Sequence, residues 1–211
     1  MGHGRIVSLD AMEEQADRKT ALVIAADRGQ GFTGPKYLAP LRGKPLLQVV
    51  LDDVSSWAMS DVVIVLGDQA ERTLEGIDFD GAIVVIDPEW AEGAAASMRV
   101  GLDTLAREQM LGPCVMARGD QIGVGADLVG RLLASHAASR AVATVPKYRY
   151  ARGWPVVVSE RMWPRLMGLE GRVDLLDVLS SHPEGVTEVW FDSLSPPIIA
   201  TAEDLPTSGR R

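Results

Sequence analysis

Arg28 and Lys36 bracket a stretch with glycine at positions 29, 31 and 34. A guanidinium, an ammonium, and glycines that let backbone N–H groups come close to an anion are the parts of a phosphate site. The residues before them fit that use. Residues 21–26 form a short, unbroken apolar run, which predicts a strand buried on both faces, as in a parallel sheet. The glycine loop then opens at the carboxyl end of that strand, and ligands of open α/β sheets bind in the crevice outside those ends. Asp120 follows a second apolar run, residues 114–117, through Arg118 and Gly119, so its carboxylate reaches the same crevice. Plainer readings exist for both: a flexible surface loop, and an acid in a tight turn paired with Arg118.

Two familiar phosphate loops fail here. Gly29, Gly31 and Gly34 satisfy G-x-G-x-x-G literally, but a dinucleotide site needs a helix that begins inside the motif and an acid on the ribose farther along. Pro35, Pro40 and Pro45 delay helix initiation until Leu46, and Asp52 and Asp53 fall inside the helical pattern that follows. The P-loop pattern fails because Gly34 is followed by Pro35.

The elements that must position these residues alternate along the chain. Leu46, Leu47, Val49, Val50, Val54 and Trp57 recur at helical spacing, and residues 62–66 form another apolar strand that ends at the turn Gly67-Asp68. Asp68 is a loop acid, readable as a ligand or as a solvated cap. A third run, 82–86, precedes Asp87-Pro88. Gly93 then frees the backbone before a helix whose first turn presents Ser97 toward an anion, or simply toward solvent. Trp90 is expected to pack beneath the loop. Residues 125–139 read as a helix, and 141–145 and 186–191 as strands. This alternation predicts a parallel sheet with right-handed crossovers and helices on both faces.

With 211 residues, 46% of them hydrophobic, the chain is long enough to bury a sizeable core as one domain. Its net charge of −8 argues against a nucleic-acid footprint, which needs a basic face, whereas a free nucleotide needs only a few local cations. Cys114 is the only cysteine, which excludes an internal disulfide and a cysteine zinc cluster; it reads as a buried strand thiol. No run approaches the length of a membrane helix and the first residues lack a signal peptide's apolar core, so the expectation is a cytoplasmic protein with no membrane partner. His3 lies in the leading segment, while His136 and His182 end helical patterns where an imidazolium would favour the dipole; all three read as structural or solvated. Residues 146–152, PKYRYAR, pack three cations and two tyrosines together, either as a base- or phosphate-binding patch or as a solvated loop.

Ala25-Ala26-Asp27-Arg28-Gly29-Gln30-Gly31-Phe32-Thr33-Gly34-Pro35-Lys36, with Leu41 and Gly43-Lys44-Pro45-Leu46-Leu47, resembles the nucleotide loop of the MobA-like NTP transferases, which attach CMP or GMP to molybdopterin. That loop reads roughly Ala-Ala-Gly-x-Ser/Gly-x-Arg-x-Gly-x-Pro-Lys. Asp27 stands where the family has Gly, and Gly31 where it usually has an Arg that helps hold the triphosphate. Residues 87–102 resemble a second segment, Asn-Pro-x-Trp-x-x-Gly-x-x-x-Ser-Leu-x-x-Gly-Leu, with Asp87 for Asn and Met98 for Leu. Gly119-Asp120-Gln121 resembles the family's metal-binding turn, and Gly153-Trp154-Pro155-Val156-Val157-Val158 a segment that usually reads Gly-His-Pro before an apolar strand. The family ends Asp-Ile-Asp-Thr-Pro-Glu-Asp-Leu, whereas this chain reads Ile198-Ile199-Ala200-Thr201-Ala202-Glu203-Asp204-Leu205, which lacks the first acidic pair.

The resemblance implies a doubly wound α/β fold with a mostly parallel sheet, the Rossmann-like nucleotidyltransferase fold in three α/β/α layers. Residues 20–205 would form that domain between flexible segments at 1–19 and 206–211. It implies transfer of a nucleoside monophosphate from CTP or GTP to a small phosphate-bearing acceptor, molybdopterin, with Mg2+ held on Asp120. A single acid suffices there, because magnesium keeps several waters and shares the substrate's phosphates. By the same resemblance Arg28, Lys36 and Asp120 are the catalytic candidates. Ala25, Ala26, Asp27, Gly29, Gln30, Gly67, Gly93, Ser97, Gln121 and Trp154 would line the substrate site. Two alternatives stand beside this. One is a nucleotide- or cofactor-binding protein of the same fold with reduced catalysis, which Gly31, Trp154 and Ala200 favour. The other is a sugar-phosphate nucleotidyltransferase.

Overall fold

A computed structural model describes residues 18–205; residues 1–17 and 206–211, and with them most of the two segments expected to be flexible, lie outside the described residues. The first strand, β1 (Thr20–Ala25), has no solvent-facing side, and its side chains divide between two cores. Ala21, Val23 and Ala25 enter one and Leu22 the other, the period-two alternation of a strand covered on both faces. Parallel neighbours flank it: β4 (Asp61–Leu66) on one side, with Val23 opposite Ile64, and β6 (Cys114–Arg118) on the other, with Val23 opposite Ala117.

A two-residue hairpin, β2 (Pro40–Leu41) and β3 (Lys44–Pro45), interrupts the path from β1 to helix α1 (Leu46–Ser55). After β4 come α2 (Ala70–Gly76), β5 (Ile83–Ile86), α3 (Ala94–Arg107), β6 and α4 (Ala126–Ser139). The chain closes with β7 (Ala143–Lys147), β8 (Val156–Val158), α5 (Trp163–Met167), α6 (Leu175–Ser181) and β9 (Val186–Trp190). Side chains of α1 and α4, including Leu47, Val50, Val129 and Leu132, fill the core on one face of the sheet. Those of α3, α5 and α6, including Leu102, Leu105, Leu166 and Leu179, fill the other. These are the three layers expected from the sequence. Among the described residues no helix is long and apolar enough to cross a membrane.

The seven-stranded sheet runs β5-β4-β1-β6-β8-β7-β9. It is mostly parallel, as expected, and its one antiparallel strand is β8, between β6 and β7. Three consecutive valines suit a central strand but carry no information about direction, so the inserted strand reads from sequence only as a strand. From β1 the winding proceeds outward through β4 to β5, then returns to the other side of β1 at β6. The gap between the carboxyl ends of β1 and β6 is therefore the topological switch point, where such sheets hold ligands.

His136 takes the structural one of its two expected roles, but as a neutral ring and not as a charged helix end. It is 4% exposed, in the last turn of α4, with Nδ1 3.0 Å from Thr144 Oγ1 on β7. Burial, aided by the Arg161 charge, lowers its pKa, so desolvation outweighs the helix dipole and the folded state favours neutral imidazole. A lowered folded pKa contributes stability that is complete above the unfolded value near 6.5 and is lost as pH falls below it. Urea titrations across that window should show stability declining with acid by up to about 1.4 kcal/mol per pH unit from this group, with a shallower decline in His136→Gln.

Candidate active site

At the switch point Lys36 is the least expected side chain. It begins a short 3-10 turn, Lys36–Leu38, and is 1% exposed. Its ammonium has three donors, and all three find carboxylate oxygen: Asp27 Oδ1 at 2.7 Å, Asp27 Oδ2 at 3.1 Å and Asp120 Oδ2 at 2.6 Å. Tyr37 adds its hydroxyl to Asp27 Oδ1 at 3.2 Å. Burial and the neighbouring Asp27 and Asp120 charges push the Tyr37 phenol well above its usual range, so it stays a donor. Lys36 thus joins the loop after β1 to the turn after β6 from below and does not border the cleft above them.

Asp120 is positioned by close backbone approach. A Cβ on Gly119 would sit 2.5 Å from the Ala25 Cβ, and the Gly119 N–H bonds Ile24 O at 2.8 Å, so only glycine lets the turn rest on β1. The Asp120 carboxylate then receives Arg118 as a fork, Nε to Oδ1 at 2.8 Å and Nη2 to Oδ2 at 2.9 Å. Burial pulls the Arg118 pKa down, but the Asp120 charge and hydrogen bonds outweigh it and leave the pKa raised. Asp27, Lys36, Asp120 and Arg118 are two anions and two cations, and their charges cancel.

A cleft of about 530 Å³ opens above this cluster. Of the expected residues it brings together Ala26, Asp27, Arg28, Gly29, Gln30, Gly93, Ser97, Asp120 and Trp154. Arg118 and Arg172 also border it, as does Trp90, which forms wall where the sequence suggested packing beneath the loop. Arg172 escaped the sequence reading; the signal available was a cation just after Gly171 at the approach to α6. The N-terminus of α3 faces the same space through Gly93, whose φ of 127° and close contact with Gly171 O admit no other residue.

Other expected residues lie elsewhere. Ala25 packs under Gly119, and Gly67 is glycine because a Cβ there would meet Ala26 O at 2.3 Å. Gln121 turns away to donate to Trp154 O and Pro196 O, at 3.3 and 3.2 Å. Ser97 does line the cleft, but its hydroxyl donates to the fully buried Asp87 at 2.7 Å and so organises the start of α3. Asp68 accepts from Gln69 beside its own turn. In the basic segment Arg149 pairs with Asp192 and Arg152 with Glu188, while the Tyr148 hydroxyl bonds Trp154 O, so these groups serve the β9 side of the fold.

The carboxyl-terminal segment does reach the site. Ile199 N–H bonds Asp120 O at 2.8 Å, and Ala202 N–H bonds Gln30 O at 2.9 Å, which sets Ala200 beside Asp120 and the glycine loop. Asp204 is occupied as a cap, accepting from the Thr201 N–H at 2.7 Å and from its hydroxyl. A divalent ion resident on the protein does not fit these residues. Both Asp120 oxygens are hydrogen-bonded to cations, so an ion could reach them only by displacing Arg118. A larger groove of about 700 Å³ lies at the amino-terminal ends of β4 and β5. Asp52, Asp61, Asp78 and Asp80 line it, the wrong sign for phosphate.

A doubly wound sheet with this cleft at its switch point defines a Rossmann-like α/β domain. Within that class the chain belongs to the MobA-like NTP transferase domain family, whose model matches residues 21–186. It is 30% identical over 151 residues to nicotine blue oxidoreductase of Paenarthrobacter nicotinovorans, covering 69% of this chain and 72% of that one. It is 34% identical over 131 residues to bifunctional protein GlmU of Mycolicibacterium paratuberculosis, covering 59% of this chain but only 26% of the relative. Among solved structures, Rv0371c of Mycobacterium tuberculosis H37Rv aligns with a TM-score of 0.79 and 28% identity over 90% of this chain and 95% of that one. A further Rv0371c structure, with manganese, aligns at 0.76 and 26% identity over 89% and 95%.

The buried cluster sets a clear stability contrast. Lys36→Met leaves Asp120 buried with one partner fewer and should cost about 3 kcal/mol or more in urea denaturation. Asp27→Asn alters a carboxylate that is 55% exposed and should cost less than about 1 kcal/mol.

Proposed function

We propose that the chain is a nucleotidyltransferase that moves a nucleoside monophosphate from CTP or GTP to a phosphate of a small acceptor, with molybdopterin the acceptor that the family motifs suggest. The observation that carries this is the convergence of Arg28, Arg118 and Arg172 with the 26–30 backbone and the α3 N-terminus on one switch-point cleft. In such a reaction an acceptor phosphate oxygen attacks the α-phosphorus, the bond from that phosphorus to the β-bridging oxygen breaks, and pyrophosphate leaves. The protein's part is to align the two groups and answer the charge, which needs no covalent nucleophile. Arg28, exposed at the cleft mouth, suits the triphosphate, and the Trp90 and Trp154 walls suit a flat ring. The magnesium implied by the family motifs meets an Asp120 already hydrogen-bonded to two cations, so charge neutralisation in this chain falls to the arginines.

A second reading has one specific support. With Asp120 held in salt bridges, Gly31 and Ala200 in place of an Arg and an Asp, and a relative named as an oxidoreductase, the same cleft would bind a nucleotide or a flat aromatic substrate without transferring a nucleotidyl group.

Thermal melts with each of the four NTPs decide whether the cleft takes nucleotide at all. Saturation with the preferred one at about a hundred times its Kd adds about 2.7 kcal/mol and should raise Tm by about 5–10 °C. Pyrophosphate release with molybdopterin then separates transfer from binding alone. No shift with any NTP would remove the nucleotide reading. Arg28→Ala should weaken the same binding by about 1.5–3 kcal/mol, with a smaller loss at high salt because the contact is exposed.

A further inference from the structure

We propose that Arg118 is the resident cation of this site, occupying Asp120 where a divalent ion would otherwise bind, so that the cleft holds the phosphates of its nucleotide without metal. The inference rests on the nucleotide reading above and specifies how that site balances charge. Arg118 closes on Asp120 through two parallel hydrogen bonds at 2.8 and 2.9 Å, the geometry in which a guanidinium matches a carboxylate best. Lys36 takes Asp120 Oδ2 again at 2.6 Å. Both oxygens are engaged, and the four-residue cluster is already neutral.

The rest of the surroundings agrees. The segment that reaches Asp120 through Ile199 N–H carries alanine at 200, so its next residue brings no further carboxylate. Two acids follow in that segment: Glu203 is exposed, and Asp204 is held by Thr201. Asp27 turns to Lys36. Arg118 meanwhile borders the cleft, and a guanidinium carries five N–H donors, of which two bond Asp120. The remaining donors are available to a phosphate oxygen. An arginine keeps its charge at every accessible pH and needs no ion from solution, so a site built this way is always armed for an anion.

The test uses calorimetric titration of CTP and GTP into the full chain with excess EDTA or with magnesium, together with Mn2+ titrations followed by electron paramagnetic resonance without nucleotide. Wild-type affinity for the preferred nucleotide should be the same under both conditions, and Mn2+ alone should stay unbound. Arg118→Ala should bind nucleotide at least about tenfold more weakly in EDTA, the loss of one charge-assisted contact, and magnesium should restore much of it. Arg118→Ala with Ala200→Asp, which exposes two acids, should bind Mn2+. Circular dichroism checks each fold; if Arg118→Ala does not fold, Arg118→Lys serves in its place. Wild-type nucleotide binding that requires magnesium, or Mn2+ held tightly by wild type, overturns the proposal. If neither nucleotide binds wild type under any condition, the nucleotide reading fails by itself. The Mn2+ arm then decides Arg118: manganese excluded by wild type and bound by the double variant upholds it, and any other pattern rejects it.

Discussion

The ligand end of this sheet depends on one buried ammonium. Lys36 places three N–H donors on two carboxylates, one from the loop after β1 and one from the turn after β6. These are the two strands that flank the switch point. A charge buried this deeply is tolerated only when its partners are close and its donors are satisfied, and both conditions hold. The consequence is a cleft floor whose two halves are tied together before any ligand arrives. Arg118 completes the floor from above by closing on the same Asp120.

Seen from this cluster, the departures from the family pattern are connected. Asp27 in place of glycine supplies the first acceptor for Lys36. Gly31 in place of arginine sits at φ 74°, a left-handed conformation in which any L side chain is strained, so the loop here is shaped around glycine and an arginine restored there would carry a backbone penalty of about 1 kcal/mol. Ala200 in place of aspartate stands beside an Asp120 that already has two cations. An added acid would leave the cluster with uncompensated negative charge in a partly buried setting. The alanine at 200 and the Arg118 fork on Asp120 therefore form one electrostatic arrangement.

Much of the frame was legible in the residues. The apolar runs gave β1, β4, β5 and β6 nearly to their ends, because parallel strands buried on both faces announce themselves by composition alone. The proline spacing correctly held helix formation back to Leu46. The direction of β8 was not legible, since strand polarity comes from connections and a run of three valines has none to show. The fate of Lys36 was hidden for another reason: its partner Asp120 is far away in sequence, and a lysine after a glycine loop looks the same whether it points to ligand or is buried among acids. The partner of the Ser97 hydroxyl was hidden similarly, because the acid that captures it, Asp87, belongs to a different turn. The pairing of Arg118 with Asp120 was within reach, as two residues flanking one glycine at a strand end. Arg172 offered only a faint signal, a cation after a glycine, since the packing of Gly171 on Gly93 is what brings it to the cleft.

Hydrogen exchange of backbone amides with and without saturating CTP or GTP tests the central claim most directly, that phosphates are held where β1 and β6 part. The account predicts slowed exchange confined to residues 26–30, the start of α3 at 93–97, and the turn at 118–121, with the acidic groove lined by Gln48, Asp61 and Asp78 unchanged. Protection centred on that groove, or on the β9 side near Arg149 and Arg152, would contradict it.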